Sequence, residues 1–540
     1  MLKRQKAFEI YFCFSNAKYR GINVLEKYTK IKILLQTQLI HLFTDKNHQI
    51  QFIGYIGVFF VYLFTHLIGL IEYPSFSTDE QFYVLKALCW QKIGIPSMPK
   101  WGGEYAPEFT NPPTLSWIYL ILFGIFGFSP LVVRLFMLGI GLLNLVIVFL
   151  IGCEIGGTES PWRGYLIGII GGIILAFDQE LIMYSRIGYL DNPVNLFLAV
   201  FIYFYLRYLR TEDQNYAWLA GVAAGIGLWF KLSALFILIG LTLFILPSRK
   251  INAWLRVQAM IVFFIGFYVL WGLATDPVAF VNENLFQIMR AYDANPIHFW
   301  GVIGFYDLFG EVVDLIRMLI LFSFFIPIFY YKNPKNPFNE RSFLVFCLFL
   351  GIIAFFLFTK TLYNYYFAGF ASVYAVLFAL SVFIAFYVGK FVQNRILLLF
   401  NLSLNKQRTL KQGIRIGLLI VFSIALILKY RHGFAFLSFQ NQENLEIISY
   451  VQHNIPLGET LVAPLEIAPW LNGSGYSVYT TWLNAGTPDW VVREYIQLHN
   501  PNYLILHQDY LHISQNLTYY IIQSFTNYEL YTLNSTRLEK

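Results

Sequence analysis

Long apolar segments dominate this chain and limit what it can fold into. Of its 540 residues, 57% are hydrophobic and only 13% are charged, whereas a soluble domain carries about a quarter charged residues. A helix needs roughly 20 apolar residues to cross a bilayer, and such stretches predict an all-α polytopic membrane protein with about 11 transmembrane helices. The predicted spans are 52–71, 130–152, 164–178, 193–209, 215–230, 232–247, 254–274, 312–331, 342–358, 366–388 and 414–430.

The positions of Lys and Arg predict an orientation. Of the 38 basic residues, 24 lie in segments that share one side with the N-terminus, and positive loops favour the cytoplasm. This pattern holds if the apolar stretch 113–128 is a helix on the outer surface rather than a span. We therefore expect a multi-pass protein of the plasma (inner) membrane, with membrane lipids around it. The net charge of +7 belongs to these loops and does not indicate nucleic-acid binding.

Three regions differ in composition. Residues 1–51 form a basic cytoplasmic segment without the features of a cleavable signal peptide. Residues 52–430 carry the spans. Residues 431–540 are less apolar and alternate helix and strand patterns, which predicts a small extracytoplasmic α/β domain. The four Cys are scattered and predict neither a disulfide framework nor a metal knuckle.

Two adjacent acids, Asp79 and Glu80, follow the first span in the segment YPSFSTDEQFY. One interpretation is structural, because Ser77 and Glu80 have the spacing of a capping box. The other is functional, because a carboxylate at a membrane surface can act as a general base. Both hold if Glu80 caps while Asp79 faces a cavity. Tyr83 lies four residues after Asp79 and shares its helix face.

A third acid and several cations lie at predicted outer boundaries. Asp191 fits a helix N-cap before Asn192 and Pro193, but the predicted topology also places it on the same side as Asp79. Each isolated cation could extend to the interface or bind an anionic headgroup. These cations are Arg134, Arg186, Lys231 and Lys360.

The long predicted outer loop 275–311 could contact substrate. It contains His298 and Tyr306, and a lone His is more often structural. No HExxH, P-loop, GxGxxG or Ser-His-Asp pattern supports a soluble enzyme. The sequence has no dense carboxylate cluster that would predict a metal site. It therefore identifies no cofactor with certainty, and a divalent metal ion is an open alternative.

Five features occur in an order that resembles a known family. They are the acidic pair, Asn111-Pro112-Pro113, the segment 127–152 with Arg134, YSRIGYLD at 184–191, and GVAAGIGLWFKLSALF at 221–236. This order resembles the GT-C superfamily of integral membrane glycosyltransferases. Within it, the chain is most similar to the protein O-mannosyltransferase and lipid A aminoarabinose transferase branch, the family 39-like enzymes. The resemblance covers about residues 50 to 390.

The resemblance implies the GT-C fold and a reaction. Such enzymes move a sugar from a polyprenyl-phosphate-linked donor to an acceptor hydroxyl on the outer face of the membrane. Asp79 would be the catalytic base, Glu80 its support, and Asp191 the group that orients base or acceptor. Arg186, Lys231 and Lys360 would hold the donor phosphate. Substrate contacts would come from Tyr83, Asn111, Arg134, His298 and Tyr306.

One departure from the family pattern concerns the cations. Relatives often carry His or a Glu-Lys pair before the two prolines, whereas this chain has Thr110 and Asn111. The sugar and the acceptor, whether lipid, protein or glycan, stay open. A transporter or flippase of lipid-linked sugars is an alternative, as is a non-catalytic scaffold. A transporter would carry its acids near mid-membrane.

Overall fold

The computed structural model describes most of the hydrophobic region and most of the C-terminal segment. It describes residues 46–99, 105–158, 161–292, 337–358, 368–383, 440–479, 489–507, 510 and 519–533. The predicted spans at 312–331 and 414–430 lie outside these residues. The packing discussed below concerns residues from Val61 onward.

Helices make up nearly all of the described chain before residue 384. An apolar helix precedes the acidic segment, and a series of helices follows it, in agreement with the mostly helical fold predicted from the sequence. They are α1 (Lys46–Leu67), α2 (Thr78–Ile93), α3 (Thr114–Phe126), α4 (Pro130–Gly156), α5 (Pro161–Phe177), α6 (Gln179–Arg186), α7 (Asp191–Thr211), α8 (Gln214–Leu228), α9 (Ile237–Ser248), α10 (Ile251–Thr275), α11 (Pro277–Tyr292), α12 (Pro337–Phe358) and α13 (Ala368–Phe383).

Two of these helices, α4 and α10, are long and apolar enough to cross a membrane by length and composition. Further apolar stretches are shorter, at Ile53–Leu67, Thr114–Phe126, Pro161–Phe177, Leu232–Ser248 and Ala368–Phe383. Helix α3, with 13 residues, covers the stretch predicted to lie on the surface. The count of about 11 spans and the orientation stay predictions.

Glycines let helices α4 and α5 approach closely. A Cβ added at Gly156 would lie 2.4 Å from the backbone nitrogen of Gly164, and one at Gly152 would lie 2.5 Å from that of Gly168. Small residues four apart on both helices are what such a close backbone contact requires. This contact fixes α4, whose N-terminal turn carries Arg134.

The acidic segment begins helix α2 as the sequence predicted. Ser77 is the N-cap, and its hydroxyl accepts a hydrogen bond of 3.2 Å from the Glu80 N–H. The helix ends at Gly94, whose φ of +84° is the left-handed conformation that glycine adopts most easily. A short antiparallel hairpin of β1 (Ser97–Pro99) and β2 (Tyr105–Pro107) then leads to α3.

The C-terminal segment contains one five-stranded sheet. Its strands, in the order β4-β3-β5-β7-β6, are β3 (Thr460–Val462), β4 (Ser477–Tyr479), β5 (Tyr503–His507), β6 (Tyr520–Ser524) and β7 (Tyr528–Thr532). Three helices accompany it, α14 (Gln442–Asn454), α15 (Ala468–Gly473) and α16 (Asp489–His499). Strand β3 pairs in parallel with β4 and β5, whereas β7 pairs antiparallel with β5 and β6. These helices and strands agree with the alternating helix and strand patterns predicted for this region.

This C-terminal segment packs on the segment that carries the acids. Trp470 lies against Phe76 and Phe128, with ring centroids 5.5 and 5.1 Å apart. Leu465 packs with Leu85 of α2. Helix α2 and the residue Phe76 before it are therefore in contact with α15 and the loop that precedes it.

Candidate active site

The segment before the acidic pair, residues 66–76, is held by three polar side chains, which we call the carbonyl clamp. Arg134, Arg186 and Asn441 each donate hydrogen bonds to main-chain carbonyl oxygens in this segment. Asn441 donates to Ile71 (2.8 Å) and Pro74 (3.2 Å). Because buried carbonyls need partners, the clamp fixes the path of the chain that leads to Asp79.

Arg134 and Glu80 form a buried, two-point ion pair. The Nη2–Oε2 distance is 3.1 Å and the Nε–Oε1 distance is 3.3 Å, with both side chains at most 1% exposed. Arg134 also donates to the carbonyls of Leu70 (2.9 Å) and Ile71 (3.1 Å). These bonds occupy its fork of donors, so the prediction that Arg134 contacts substrate does not fit its position.

Glu80 differs from its prediction in one respect. Its carboxylate accepts hydrogen bonds from Arg134 and from the Gly188 N–H, at 3.1 Å. It therefore joins three parts of the chain instead of capping its own helix through Ser77. Ser77 performs the cap alone, and the capping-box prediction is wrong for Glu80. A carboxylate that is 1% exposed and paired in this way positions the acidic turn rather than meeting substrate.

Arg186, like Arg134, forms its hydrogen bonds with groups of the protein itself. It is 1% exposed, and its guanidinium donates to the carbonyls of His66 and Tyr73, each at 3.2 Å, and of Ile68. Burial lowers its pKa to about 10, and the neighbouring Arg134 adds to the effect. The prediction that Arg186 holds the donor phosphate therefore does not fit, because its donors bind main-chain carbonyls.

Asp191 and Lys231, 40 positions apart, form the second ion pair of the site. The Lys231 ammonium lies 2.9 Å from both carboxylate oxygens. Asp191 is 4% exposed, and a Cβ added at Gly369 of α13 would lie 3.1 Å from its Oδ1. The sequence around Lys231 offers it no acid, and the structure supplies one from the start of α7. Pairing across the fold is what a buried charge requires.

Asp79 is half-buried and interacts electrostatically with the carboxylate of this second pair. It is near enough to act electrostatically on Asp191 and on the phenol of Tyr189. Tyr189 hydrogen-bonds through its side chain to Ser77, and burial, with Asp79 and Glu80 adding to it, raises its pKa. The structure thus pairs Asp191 with Lys231 and puts Asp79 within electrostatic range of Asp191, while Tyr189 hydrogen-bonds to the Ser77 cap.

Helix α2 contributes a cation that sequence reasoning missed. Lys86 lies seven residues after Asp79 and three after the half-buried Tyr83, so all three share one helix face. It is 1% exposed, and its Nζ donates to the carbonyl of the half-buried Asn111 at 3.3 Å. Burial lowers its pKa to about 8, and nearby Glu108 opposes the effect. The seven-residue spacing from Asp79 is the sequence feature that could have identified Lys86 as a candidate.

Among the described residues, no carboxylate lies within 4.0 Å of Lys86. This lysine sits at the turn before the two prolines, where the sequence lacks the basic residue of the family pattern. Of the other predicted site residues, Lys360, His298 and Tyr306 lie outside the described residues.

An aromatic wall includes Trp90, four residues after Lys86, and Trp229, two residues before Lys231. Its members are Trp90, Trp117, Trp229 and Trp271, which come from α2, α3, the end of α8, and α10. Ring centroids of Trp117 lie 5.5, 6.0 and 5.9 Å from those of Trp90, Trp229 and Trp271. The Trp229 indole N–H donates to the Phe264 carbonyl at 2.9 Å. The wall gives the site an apolar side.

The described part of the chain contains no group of three or more His, Cys, Asp or Glu side chains arranged to hold a metal ion. Two acids of the site, Glu80 and Asp191, are paired with cations. The arrangement provides one half-buried carboxylate, two lysines and an apolar wall, which suit proton removal and binding of an anionic, lipid-like group.

The comparisons with known proteins point in the same direction. Residues 110–272 match the family model described as dolichyl-phosphate-mannose-protein mannosyltransferase. The structure superposes on that of ArnT from Cupriavidus metallidurans, which was solved with undecaprenyl phosphate. The TM-score is 0.62 at 13% sequence identity, and the match covers 90% of this chain and 99% of ArnT. The chain has the GT-C fold. The resemblance stated from the sequence is therefore confirmed.

Two further comparisons give one structural neighbour and one sequence relative. The archaeal oligosaccharyltransferase AglB from Archaeoglobus fulgidus, solved with an inhibitory peptide and a dolichol-phosphate, gives a TM-score of 0.50 at 12% identity, over 85% of this chain and 69% of AglB. An uncharacterized protein from Aquifex aeolicus (strain VF5) is 24% identical over 284 residues, 48% of this chain. The alignment spans 55% of that relative. At these identities the structural likeness shows the fold.

Proposed function

We propose that this protein is a membrane glycosyltransferase that moves a sugar from a polyprenyl-phosphate-linked donor to an acceptor hydroxyl on the outer face of the membrane. The observation that carries the proposal is the electrostatic interaction of half-buried Asp79 with Asp191, whose carboxylate oxygens lie 2.9 Å from the Lys231 ammonium. The carbonyl clamp supports it, because a reacting group must be held in one geometry. The GT-C fold supports it further, since ArnT with that fold was solved with undecaprenyl phosphate.

Asp79 serves as the base in this proposal. It removes the proton of the acceptor hydroxyl as that oxygen attacks the anomeric carbon of the donor. The bond between that carbon and the phosphate oxygen breaks, and its electron pair leaves with the lipid phosphate. Attack opposite the leaving phosphate inverts the anomeric centre. Asp191 orients Lys231 through their short contacts and places its charge near the reaction.

The two lysines supply the positive charge that the leaving phosphate needs. Charge grows on the phosphate oxygens as the bond breaks, and fixed cations stabilise it most effectively where water is excluded. Lys231 comes from the turn after α8, and Lys86 comes from the same face of α2 as Asp79. In this arrangement Lys86 takes the place of the basic residue missing at Thr110 and Asn111.

The proposal includes a place in the cell. A multi-pass protein of the plasma membrane with a cytoplasmic N-terminus would present Asp79, Lys86 and the C-terminal segment to the outer side. The membrane would deliver the donor laterally, and the aromatic wall around Trp117 would meet its lipid part. The acceptor is a lipid, a protein or a glycan.

The test measures the product common to all donors, free polyprenyl phosphate. Purified protein in vesicles made from host membranes is given a panel of polyprenyl-phosphate sugars, and the released lipid phosphate and the new glycosidic product are measured by mass spectrometry. Asp79→Asn should lower transfer by about 10² to 10⁴-fold, as loss of a general base does. Asp213→Asn, an exposed N-cap far from the acids in sequence, is the matched control.

Two results would contradict the proposal. A folded Asp79→Asn protein that transfers sugar at the wild-type rate would remove Asp79 as the base. Movement of intact donor between the leaflets of the vesicles, with no glycosidic product, would indicate a transporter or flippase instead.

A further inference from the structure

An open groove, with several polar side chains on a largely apolar surface, runs along helix α14, outside the site described above. Its volume is about 860 Å³. Its floor is one face of the helix, formed by Gln442, Glu446, Ser449, Tyr450 and His453, whose spacing places them on a single stripe. Because a 13-residue helix is about 20 Å long, the groove has the length of an extended chain rather than of a single small molecule.

The groove has two fixed walls. Glu72 lies at its beginning, where the Asn441 N–H donates to the Glu72 carbonyl at 2.8 Å. Phe525 forms the side wall and packs edge-on against Tyr450, with ring centroids 5.9 Å apart. Asn527 holds this side wall against α14, because its side-chain amide donates to the Glu443 carboxylate at 2.6 Å.

The lining selects by charge and by hydrogen bonding. It contains two carboxylates, Glu72 and Glu446, and neither Lys nor Arg. An anionic ligand would be repelled there. Gln442, Glu446 and Ser449 offer amide, carboxylate and hydroxyl groups, which together both donate and accept hydrogen bonds. The rings of Tyr450 and Phe525 add apolar faces. A hydroxyl-rich ligand with apolar ring faces matches this lining.

We propose that this groove binds a neutral or amine-bearing saccharide chain, as part of the acceptor. The inference rests on the proposed transferase function, because it identifies the acceptor of that reaction as a glycan. Glu72 is seven residues from Asp79, so at most about 25 Å of chain separates them. A saccharide lying along the groove from Glu72 can therefore extend toward the base, while the anionic lipid donor is kept out.

Binding is tested on the full-length protein in lipid nanodiscs, without any transfer reaction. Three six-unit probes are compared by titration calorimetry: a neutral glucose oligomer, its amine-bearing glucosamine counterpart, and an acidic galacturonic acid oligomer. The neutral and amine-bearing probes should bind, and the acidic probe should bind at least about tenfold more weakly.

Variants locate the binding. Tyr450→Ala should weaken the neutral probe by about tenfold through loss of one ring face. Glu446→Lys should weaken the amine-bearing probe and strengthen the acidic one. Gln452→Ala is the matched control, because Gln452 is exposed on the same helix, outside the groove, and bonds to Ser474. Asp79→Asn should bind as the wild type does, which separates this inference from failure of the transferase proposal.

Several outcomes would overturn the inference. They are the absence of binding by every saccharide probe, equal binding of the acidic and neutral probes, and equal effects of Tyr450→Ala and Gln452→Ala. Tyr450→Phe, which retains the ring, guards against misfolding and should keep most of the affinity for the neutral probe.

Discussion

Replacing Lys86 by Met tests whether this buried cation serves function rather than stability. Lys86 is 1% exposed, and its described polar contact is the 3.3 Å hydrogen bond to the Asn111 carbonyl. Burial lowers its pKa from 10.5 to about 8. The folded protein therefore disfavours the charged form of this lysine. Met has a similar length and no charge, so the substitution removes the charge with little change in shape.

The size of the effect follows from that pKa. A fall from 10.5 to about 8 corresponds to a cost of about 3 kcal/mol for keeping the lysine charged in the folded state. The cost is present in full below pH 8 and disappears as the pH rises through 10.5. Lys86→Met avoids it but loses one hydrogen bond, worth about 1 kcal/mol. We expect the variant to be more stable by about 2 kcal/mol at pH 7.

Activity should change in the opposite direction. If Lys86 stabilises the leaving phosphate, its loss should lower kcat/KM by about 10²-fold, the effect of removing one fixed electrostatic partner. In the wild type, kcat/KM should also fall as the pH rises through about 8, because Lys86 loses its proton. The Lys86→Met variant should lack this alkaline decline, since kcat/KM reports groups of the free enzyme.

The assay combines thermal unfolding in detergent with release of polyprenyl phosphate between about pH 6.5 and pH 9.5, a range centred on the lowered pKa. Lys92→Met is the matched control, because Lys92 lies on the same helix, is exposed, and donates to Asn472 at 2.9 Å. A Lys86→Met protein that unfolds at a lower temperature and keeps full kcat/KM would refute the reasoning. That result would make Lys86 a structural residue.

Two further predictions concern the ion pairs. Glu80→Gln leaves the Arg134 charge buried without its partner, since the side chains of Glu80 and Arg134 are 1% and 0% exposed. The substitution should cost about 3–5 kcal/mol of stability, measured as a lower unfolding temperature. A change near zero would contradict the structural role of the pair. Lys231→Gln should lower both stability and sugar transfer. The double variant Lys231→Gln, Asp191→Asn should regain stability but not sugar transfer. Recovered transfer in the double variant would show that the Lys231 charge is not used in the reaction.

The sequence predicted the described helices well because their signals are local. Apolar runs and caps lie within a few residues of each other, so the span predicted at 130–152 appears as α4, which continues to Gly156. Ser77 and its neighbours likewise identified the start of α2. The prediction that Asp79 and Asp191, 112 positions apart, lie on the same side of the membrane followed from the predicted topology rather than from any local pattern.

The partners of the cations could not be predicted in this way. Glu80 and Arg134 are 54 positions apart, and nothing in either local sequence indicates that they meet. Arg186 donates hydrogen bonds to main-chain carbonyls up to 120 positions away. Because every residue has a main-chain carbonyl, the sequence does not show which of them a side chain binds. Isolated cations at apolar boundaries were therefore interpreted as ligands for lipid or phosphate, although two of them hold the protein together.

The two arginines and the two lysines of this site differ in a way that their chemistry explains. A guanidinium stays charged and presents a planar fork of donors, which suits Arg134 and Arg186 for holding several carbonyls and one carboxylate in buried surroundings. An ammonium is a point charge whose pKa shifts readily, and Lys86 shows that shift. Arg186, with a pKa of about 10, stays charged near neutrality, while Lys86, with a pKa of about 8, is poised to titrate. It follows that an alkaline loss of transfer should occur in a protein that is still folded, with residues 66–76 still held in place.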